Sequence, residues 1–178
     1  MSSRTGAVLL ASVAATVLVL DQATKWAVRG WLPRGGAWPA SDTLVGRFFS
    51  FTHVHNTGVA FGLGQGRSDL FVLVAFAVVG ALVVYQARLP ADERWLRLAI
   101  GLQVGGAVGN LLDRLRLGHV TDFFDFKFWP VFNVADSAIV VGVLMMAWHF
   151  WRQDAAAGGS VEPGPAAPAT LALDERGD

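Results

Sequence analysis

Cysteine is absent from this chain, its formal net charge is zero, and charged side chains make up only 16% of its 178 residues. Each shortage excludes something. Without cysteine there is no disulfide, no thiol nucleophile and no thiolate-held zinc. Without a basic excess there is no electrostatic footprint for nucleic acid, and none is expected as a partner. Soluble domains are usually about one quarter charged, so the low charge beside 53% hydrophobic residues leaves too little polar surface for a water-soluble body.

What is abundant is apolar sequence in long runs. Residues 7–20, 70–87, 96–112 and 134–151 each approach the roughly 20 residues needed to cross about 30 Å of hydrocarbon. The first run has to continue through residues 21–28 to span. Arg4 ahead of it suggests a secretory signal peptide, but the run ends in Asp21-Gln22-Ala23-Thr24-Lys25 rather than a small-x-small cleavage site. A retained first helix is therefore expected.

The architecture expected is all-α and integral to the membrane, with four transmembrane helices in one domain over residues 1–153. Arg88, Arg94 and Arg97 crowd the short connection between the second and third spans. The positive-inside rule places that connection, and both termini, in the cytoplasm. Eight Lys and Arg fall on the outer side against six inside, but the outer loop is long and several of its cations belong to the motifs below. Residues 154–178, rich in Ala, Gly and Pro, read as a disordered cytoplasmic tail.

Residues 30–69 form an extracytoplasmic loop between helices 1 and 2. Within it, residues 47–55 have the aromatic and β-branched content of strands. Asn56-Thr57-Gly58 reads as a turn, and Gly58, Gly62, Gly64 and Gly66 leave the backbone free to bend. Trp31, Trp38, Phe48, Phe49, Phe51 and Phe61 suit the headgroup layer, where aromatic rings gather. A small β-rich platform on the outer leaflet is expected.

Short polar motifs stand at the edges of the apolar runs: Asp21 to Lys25, Asn56-Thr57-Gly58, Asn110 with Asp113-Arg114, Thr121-Asp122, and Asn133 with Asp136-Ser137. An ionised carboxylate beside hydrocarbon is costly, so such groups are functional candidates by default. Each also has an ordinary explanation. Asp21 and Lys25 are an i, i+4 pair that could snorkel at a helix end. Asn133 to Asp136 could be only a capping box. Asp113-Arg114 could be a helix end meeting water, and Asp125 a solvated loop acid. His53 and His55 alternate along a strand without a third ligand at metal spacing, so no metal site and no cofactor are expected. Ser137 has no basic neighbour in sequence to make it a nucleophile.

Combination weakens the ordinary explanations. Asp122 precedes the fourth span and Asp136 opens it, separated by a short aromatic, re-entrant-looking loop, so the two can meet. Two adjacent carboxylates cannot both ionise cheaply; one holds a proton, and the pair can then act as general base and general acid. Gly101, Gly105 and Gly109 make a packing stripe on the third span, which delivers Asn110, Asp113 and Arg114 to the same boundary. A transporter or proton channel would spread polar groups through the depth of several helices, whereas Gln103 is the one strongly polar side chain in mid-span. An assembly factor would leave the paired acids unexplained.

The motifs DQATK, NTGVAFG, GGAVGNLLDR, VTDFFDF and FNVADSA, in this order around four spans, resemble those of the lipoprotein signal peptidases, the bacterial signal peptidase II family. The resemblance covers residues 7–151. It implies an aspartic endopeptidase of the bacterial inner membrane, with its active site near the outer leaflet. Such an enzyme removes the signal peptide from diacylglyceryl-modified prolipoproteins, cutting just before the lipidated cysteine. The partners implied are lipid-modified prolipoproteins and membrane lipid, and a monomer is expected. Position by position, Asp122 and Asp136 match the catalytic pair. Asp21, Lys25, Asn56, Gly109, Asn110, Asp113, Arg114, Asn133 and Ala135 match positions that support the site or hold substrate. Val59 and His55 are small departures from the usual motif.

Overall fold

The computed structural model describes residues 3–58, 68–90 and 92–158. Its elements run α1 (Ser3–Trp31), β1 (Ala37–Trp38), β2 (Ser50–Asn56), α2 (Ser68–Ala87), α3 (Arg94–Leu117), β3 (Val120–Asp125) and α4 (Val134–Gly158). The fold is mostly helical, with one small antiparallel sheet ordered β1-β2-β3.

Three helices, α1, α2 and α4, are long and apolar enough to cross a membrane. No part of the apolar window of α2 is buried in the protein, and Leu73, Phe76 and Val84 stand more than half exposed along it. A stripe of that size in water would be an aggregation surface; in lipid it is the ordinary outer face. The expectation of four apolar spans is met by three. The shortfall is α3, which carries Arg94, Arg97, Asp113, Arg114 and Arg116.

The physical reason is position. Helix α3 packs against α1, α4 and α2, so its side chains answer to protein rather than to hydrocarbon, and Arg97, Gln103, Asn110 and Asp113 are all buried. The glycine stripe makes this close packing possible. A Cβ at Gly105 would lie 2.6 Å from the Ala14 carbonyl oxygen, and one at Gly109 would lie 2.5 Å from Asp21 Oδ2.

The platform differs from expectation in its source. Its third strand comes from the connection between α3 and α4, so it is not confined to the segment between helices 1 and 2, and VTDFFD is a strand rather than a re-entrant loop. Gly118 makes this possible by ending α3 in the left-handed conformation at φ 76°, its N–H donating to the Arg114 carbonyl at 2.9 Å, a turn that glycine makes at least cost. A register irregularity between Phe51 and Val54 sets Val54 opposite Asp122 and His55 opposite Thr121; such bulges re-aim side chains beside sites. Val28 of α1, Leu32 just past its end and Phe123 of β3 form a small buried core, with Phe51, Phe124 and Val134 around it. This core fastens the sheet to the end of α1.

Helix α4 runs to Gly158, five residues into the stretch expected to be disordered, because Ala155 to Ala157 are strong helix formers and only Gly158 interrupts them. The rest of the tail, and the expectations for Val59, Phe61, Gly62, Gly64 and Gly66, lie outside the described residues.

Candidate active site

The site is built where the C-terminal parts of α1 and α3, the start of α4 and the sheet converge. Asp136 occupies the first turn of α4, and Asn133 caps that helix. The Asn133 side-chain oxygen accepts the Asp136 N–H at 3.0 Å, while Asp136 Oδ2 accepts the Asn133 N–H at 3.2 Å. The capping box inferred as the ordinary explanation is therefore present, and it also fixes the Asp136 carboxylate. Ser137 bonds the Asn133 carbonyl at 3.0 Å, the common back-bond of a helical serine rather than the contact of a nucleophile.

Asp122 reaches the same place from β3. Its Oδ1 accepts from Asn133 Nδ2 at 2.6 Å and its Oδ2 from Asn56 Nδ2 at 2.9 Å. Asn56 is itself turned by an N–H from Gly58 to its side-chain oxygen, 2.9 Å. The other carboxylate is reached through a second amide: Asn110 Nδ2 donates to Asp136 Oδ1 at 2.7 Å, and Asn110 Oδ1 accepts from Asn133 Nδ2 at 3.1 Å. Asp122, Asn133, Asn110 and Asp136 thus form one hydrogen-bonded chain. Burial, reinforced by the charge of Asp136, pushes the Asp122 carboxyl up to about 7 against the pull of its two asparagine donors and Lys25. That is the expected behaviour of one member of a proton-sharing pair.

Beneath this chain lies a charged layer. Lys25 and Asp21 are fully buried, so they are not the snorkelling pair that their helix-end position suggested. Lys25 Nζ contacts Asp21 Oδ2 at 2.9 Å, Asp113 Oδ2 at 3.3 Å and Asn110 Oδ1 at 2.8 Å. An ammonium only donates, so Lys25 dictates which end of the Asn110 amide faces inward and leaves the nitrogen for Asp136. Each acid in turn holds a backbone N–H next to one of the paired aspartates: Asp21 Oδ1 takes that of Ala135 at 3.0 Å, and Asp113 Oδ2 takes that of Thr121 at 3.0 Å. Gln22 bridges Asp21, the Gly109 carbonyl and Asp113 at 3.1–3.3 Å. Asp113 is nearly inaccessible, so it is no helix end meeting water.

Above the pair opens a cavity of about 260 Å³, walled by Asn56, Gly58, Arg114, Trp129, Phe132 and Val140 and floored by both aspartates and Asn110. Arg114 donates to the Gly58 carbonyl at 3.1 Å, and its guanidinium lies 5.5 Å from the centre of the Phe71 ring. Two larger clefts, of about 480 and 590 Å³, sit around Trp95 and Trp148 toward the opposite ends of α3 and α4, and no carboxylate lines either.

The structure brings every candidate residue named from sequence to this convergence. Asp125, taken as a solvated acid, ends β3 and pairs with Lys127 at 2.5 Å. His53 bonds the Leu32 carbonyl at 2.9 Å and His55 stacks on His119 with ring centres 3.6 Å apart. Among the described residues no cluster of His, Asp or Glu suits a metal ion. Sequence reasoning named Gln22 and Thr121 only as members of their motifs, without a role, and passed over Arg29. The signal for Arg29 was present, since it continues Asp21 and Lys25 at i, i+4, i+8 on α1.

An apolar helical scaffold with two aspartates joined over one cavity defines a class, the membrane aspartic peptidases. The sequence pattern of signal peptidase (SPase) II matches residues 13–152, and the chain belongs to that family. The lipoprotein signal peptidase of Moorella thermoacetica is 43% identical over 137 residues, which cover 77% of this chain and 89% of that relative. That of Geobacillus kaustophilus is 40% identical over 143 residues, covering 78% and 90%. A bacterial membrane enzyme solved by the in meso method at 2.3 Å superposes with a TM-score of 0.73 at 26% identity, over 87% of this chain and 92% of its own.

Proposed function

We propose that Asp122 and Asp136 are the catalytic pair with which this chain, a lipoprotein signal peptidase, removes signal peptides from prolipoproteins. The observation that carries the assignment is the chain of four side chains ending in both carboxylates at the floor of one cavity. One carboxylate takes a proton from a water molecule, whose oxygen attacks the scissile carbonyl carbon. The other, protonated, donates to the carbonyl oxygen as the tetrahedral intermediate forms. The pair then gives a proton to the amide nitrogen, the C–N bond breaks, and a hydroxyl of the collapsing intermediate returns its proton so that the pair regains its single shared one. The raised Asp122 carboxyl suits the proton-holding partner. Asn110, Asn133 and Asn56 orient the two acids, and Arg114 shapes the wall that receives the peptide.

In the same reading α3 crosses the membrane as a fourth span shielded by its neighbours, and both termini lie in the cytoplasm. The cavity then opens at the outer leaflet, the machinery is complete within residues 1–153, and the enzyme works as a monomer. Phe48, Phe126, Phe128 and Trp129 are exposed around the platform, which supports contact with the substrate's acyl chains where they leave the bilayer. At roughly 0.8 kcal/mol per buried CH₂, partial contact with two chains supplies much of the recognition, and the cut falls just before the lipidated cysteine.

The test is release of the signal peptide by purified protein in detergent, from diacylglyceryl-modified precursor and from the same precursor with a free thiol. The modified form is expected to be cut far faster, with chelator present or absent. Equal rates would remove the lipid from recognition, and a loss on chelation restored by one divalent ion would replace the two-aspartate mechanism.

A further inference from the structure

Arg29 has no place in the mechanism above, yet it completes the charged layer beneath the site. Asp21 and Asp113 are two buried acids, and Lys25 supplies one cation between them. Arg29 supplies the second: its Nη1 lies 3.7 Å from Asp113 Oδ1 and donates to Thr121 Oγ1 at 3.0 Å. Thr121 is fully buried. It is therefore gripped twice, by Arg29 through its hydroxyl and by Asp113 through its N–H. Successive side chains on a strand point to opposite faces. A grip on Thr121 from the α1 side of β3 thus turns Asp122 toward the cavity on the other side.

We propose that Arg29 is a positioning residue, which sets the aim of Asp122 by clamping Thr121. The proposal rests on Asp122 being catalytic. It predicts a defect in turnover with little change in substrate binding, because neither residue lines the cavity. Misplacement by about 1 Å costs on the order of 10²-fold in rate, and loss of one of the two grips is expected to cost roughly 10-fold.

The experiment is a double-mutant cycle on full-length protein in detergent, with Arg29→Gln, Thr121→Val and the double variant assayed on lipidated precursor. Thr121→Val keeps the branched shape and removes only the hydroxyl; Thr121→Ser keeps the hydroxyl. Each single variant should lower kcat about 10-fold at nearly unchanged KM, the double should be no slower than either, and Thr121→Ser should stay near the wild-type rate. Wild-type kcat in Arg29→Gln, or multiplied losses in the double, would overturn the clamp. Should Arg29→Gln not insert stably, equal kcat for Thr121→Val and Thr121→Ser would overturn it alone. Asp122→Asn, run alongside, keeps the two ideas separable: if it stays active, the catalytic assignment fails first; if it is dead while the clamp variants are normal, only the clamp fails.

Discussion

The two aspartates are held in opposite ways. Asp136 is fixed mainly by its own neighbourhood, through a capping box that spans three residues of chain. Asp122 is fixed by groups on other elements, with Asn133 and Asn56 at separations of 11 and 66 residues and Thr121 tied to Asp113 and Arg29 at 8 and 92. A helix start can present a functional side chain from local rules alone, whereas a strand has to be told by its surroundings which way to face.

Breaking either acid should have the largest effect. On the proposed assignment Asp122→Asn and Asp136→Asn remove proton transfer, and a positioned general acid or base is worth about 10²–10⁴-fold. Cleavage by each is expected to fall into or below that range while membrane insertion is retained, and near-normal turnover of either in a detergent assay would end the two-aspartate assignment. Next comes Lys25→Met, which leaves Asp21 and Asp113 buried without their shared cation. Removing one partner from a buried pair costs about 3–5 kcal/mol, so thermal unfolding in detergent should shift far down, and both aspartates should lose their aim together.

Asn133→Ser separates the two styles of support. Serine is a good N-cap, so Asp136 and α4 should keep their geometry, but the amide that reaches Asp122 and Asn110 is lost. Activity is expected to drop roughly 10-fold or more, on the scale of a misplaced group, with the unfolding temperature nearly unchanged. A variant that lost stability and activity in proportion would show that the cap is the whole role.

A smaller effect concerns pH. The Asp122 carboxyl sits at about 7 in the folded protein against 3.8 ordinarily, so folding favours its protonated form. Its contribution to stability is therefore full below about pH 4 and is lost as pH rises toward 7. Asp122→Asn, which cannot ionise, should unfold at a higher temperature than the wild type at pH 8, and the gap should narrow at pH 5 and close only near pH 4. Smallest of all is Asp125→Asn. This acid only pairs with Lys127 at the end of β3, and cleavage should stay within about twofold of wild type; partly exposed pairs of this kind contribute about 0–1 kcal/mol.

The same contrast explains what could be read from sequence. The helices were legible because apolar runs of membrane length leave few alternatives, and the Asn133–Asp136 cap because its pattern is local. The pairing of Asp122 with Asp136 followed from their positions on either side of one loop. The third strand was not legible: VTDFFD borrows its partner from β2, 66 residues away at the Asp122–Asn56 contact, and nothing local marks that edge. Nor was the burial of Lys25, whose i, i+4 spacing to Asp21 fits a helix end in water equally well. Arg29 and Thr121 fall in the same group, since their meaning depends on which face of β3 looks toward α1.

The contact between Lys25 and Asn110 has a consequence in time rather than in space. A side-chain amide free to rotate would present oxygen or nitrogen to Asp136 in turn, and part of each encounter with substrate would be spent waiting for the right face. With its oxygen held at 2.8 Å by a buried ammonium, Asn110 has one face to offer. On the proposed assignment the alignment of the pair is completed once, when the chain folds, and does not have to be repeated at every turnover.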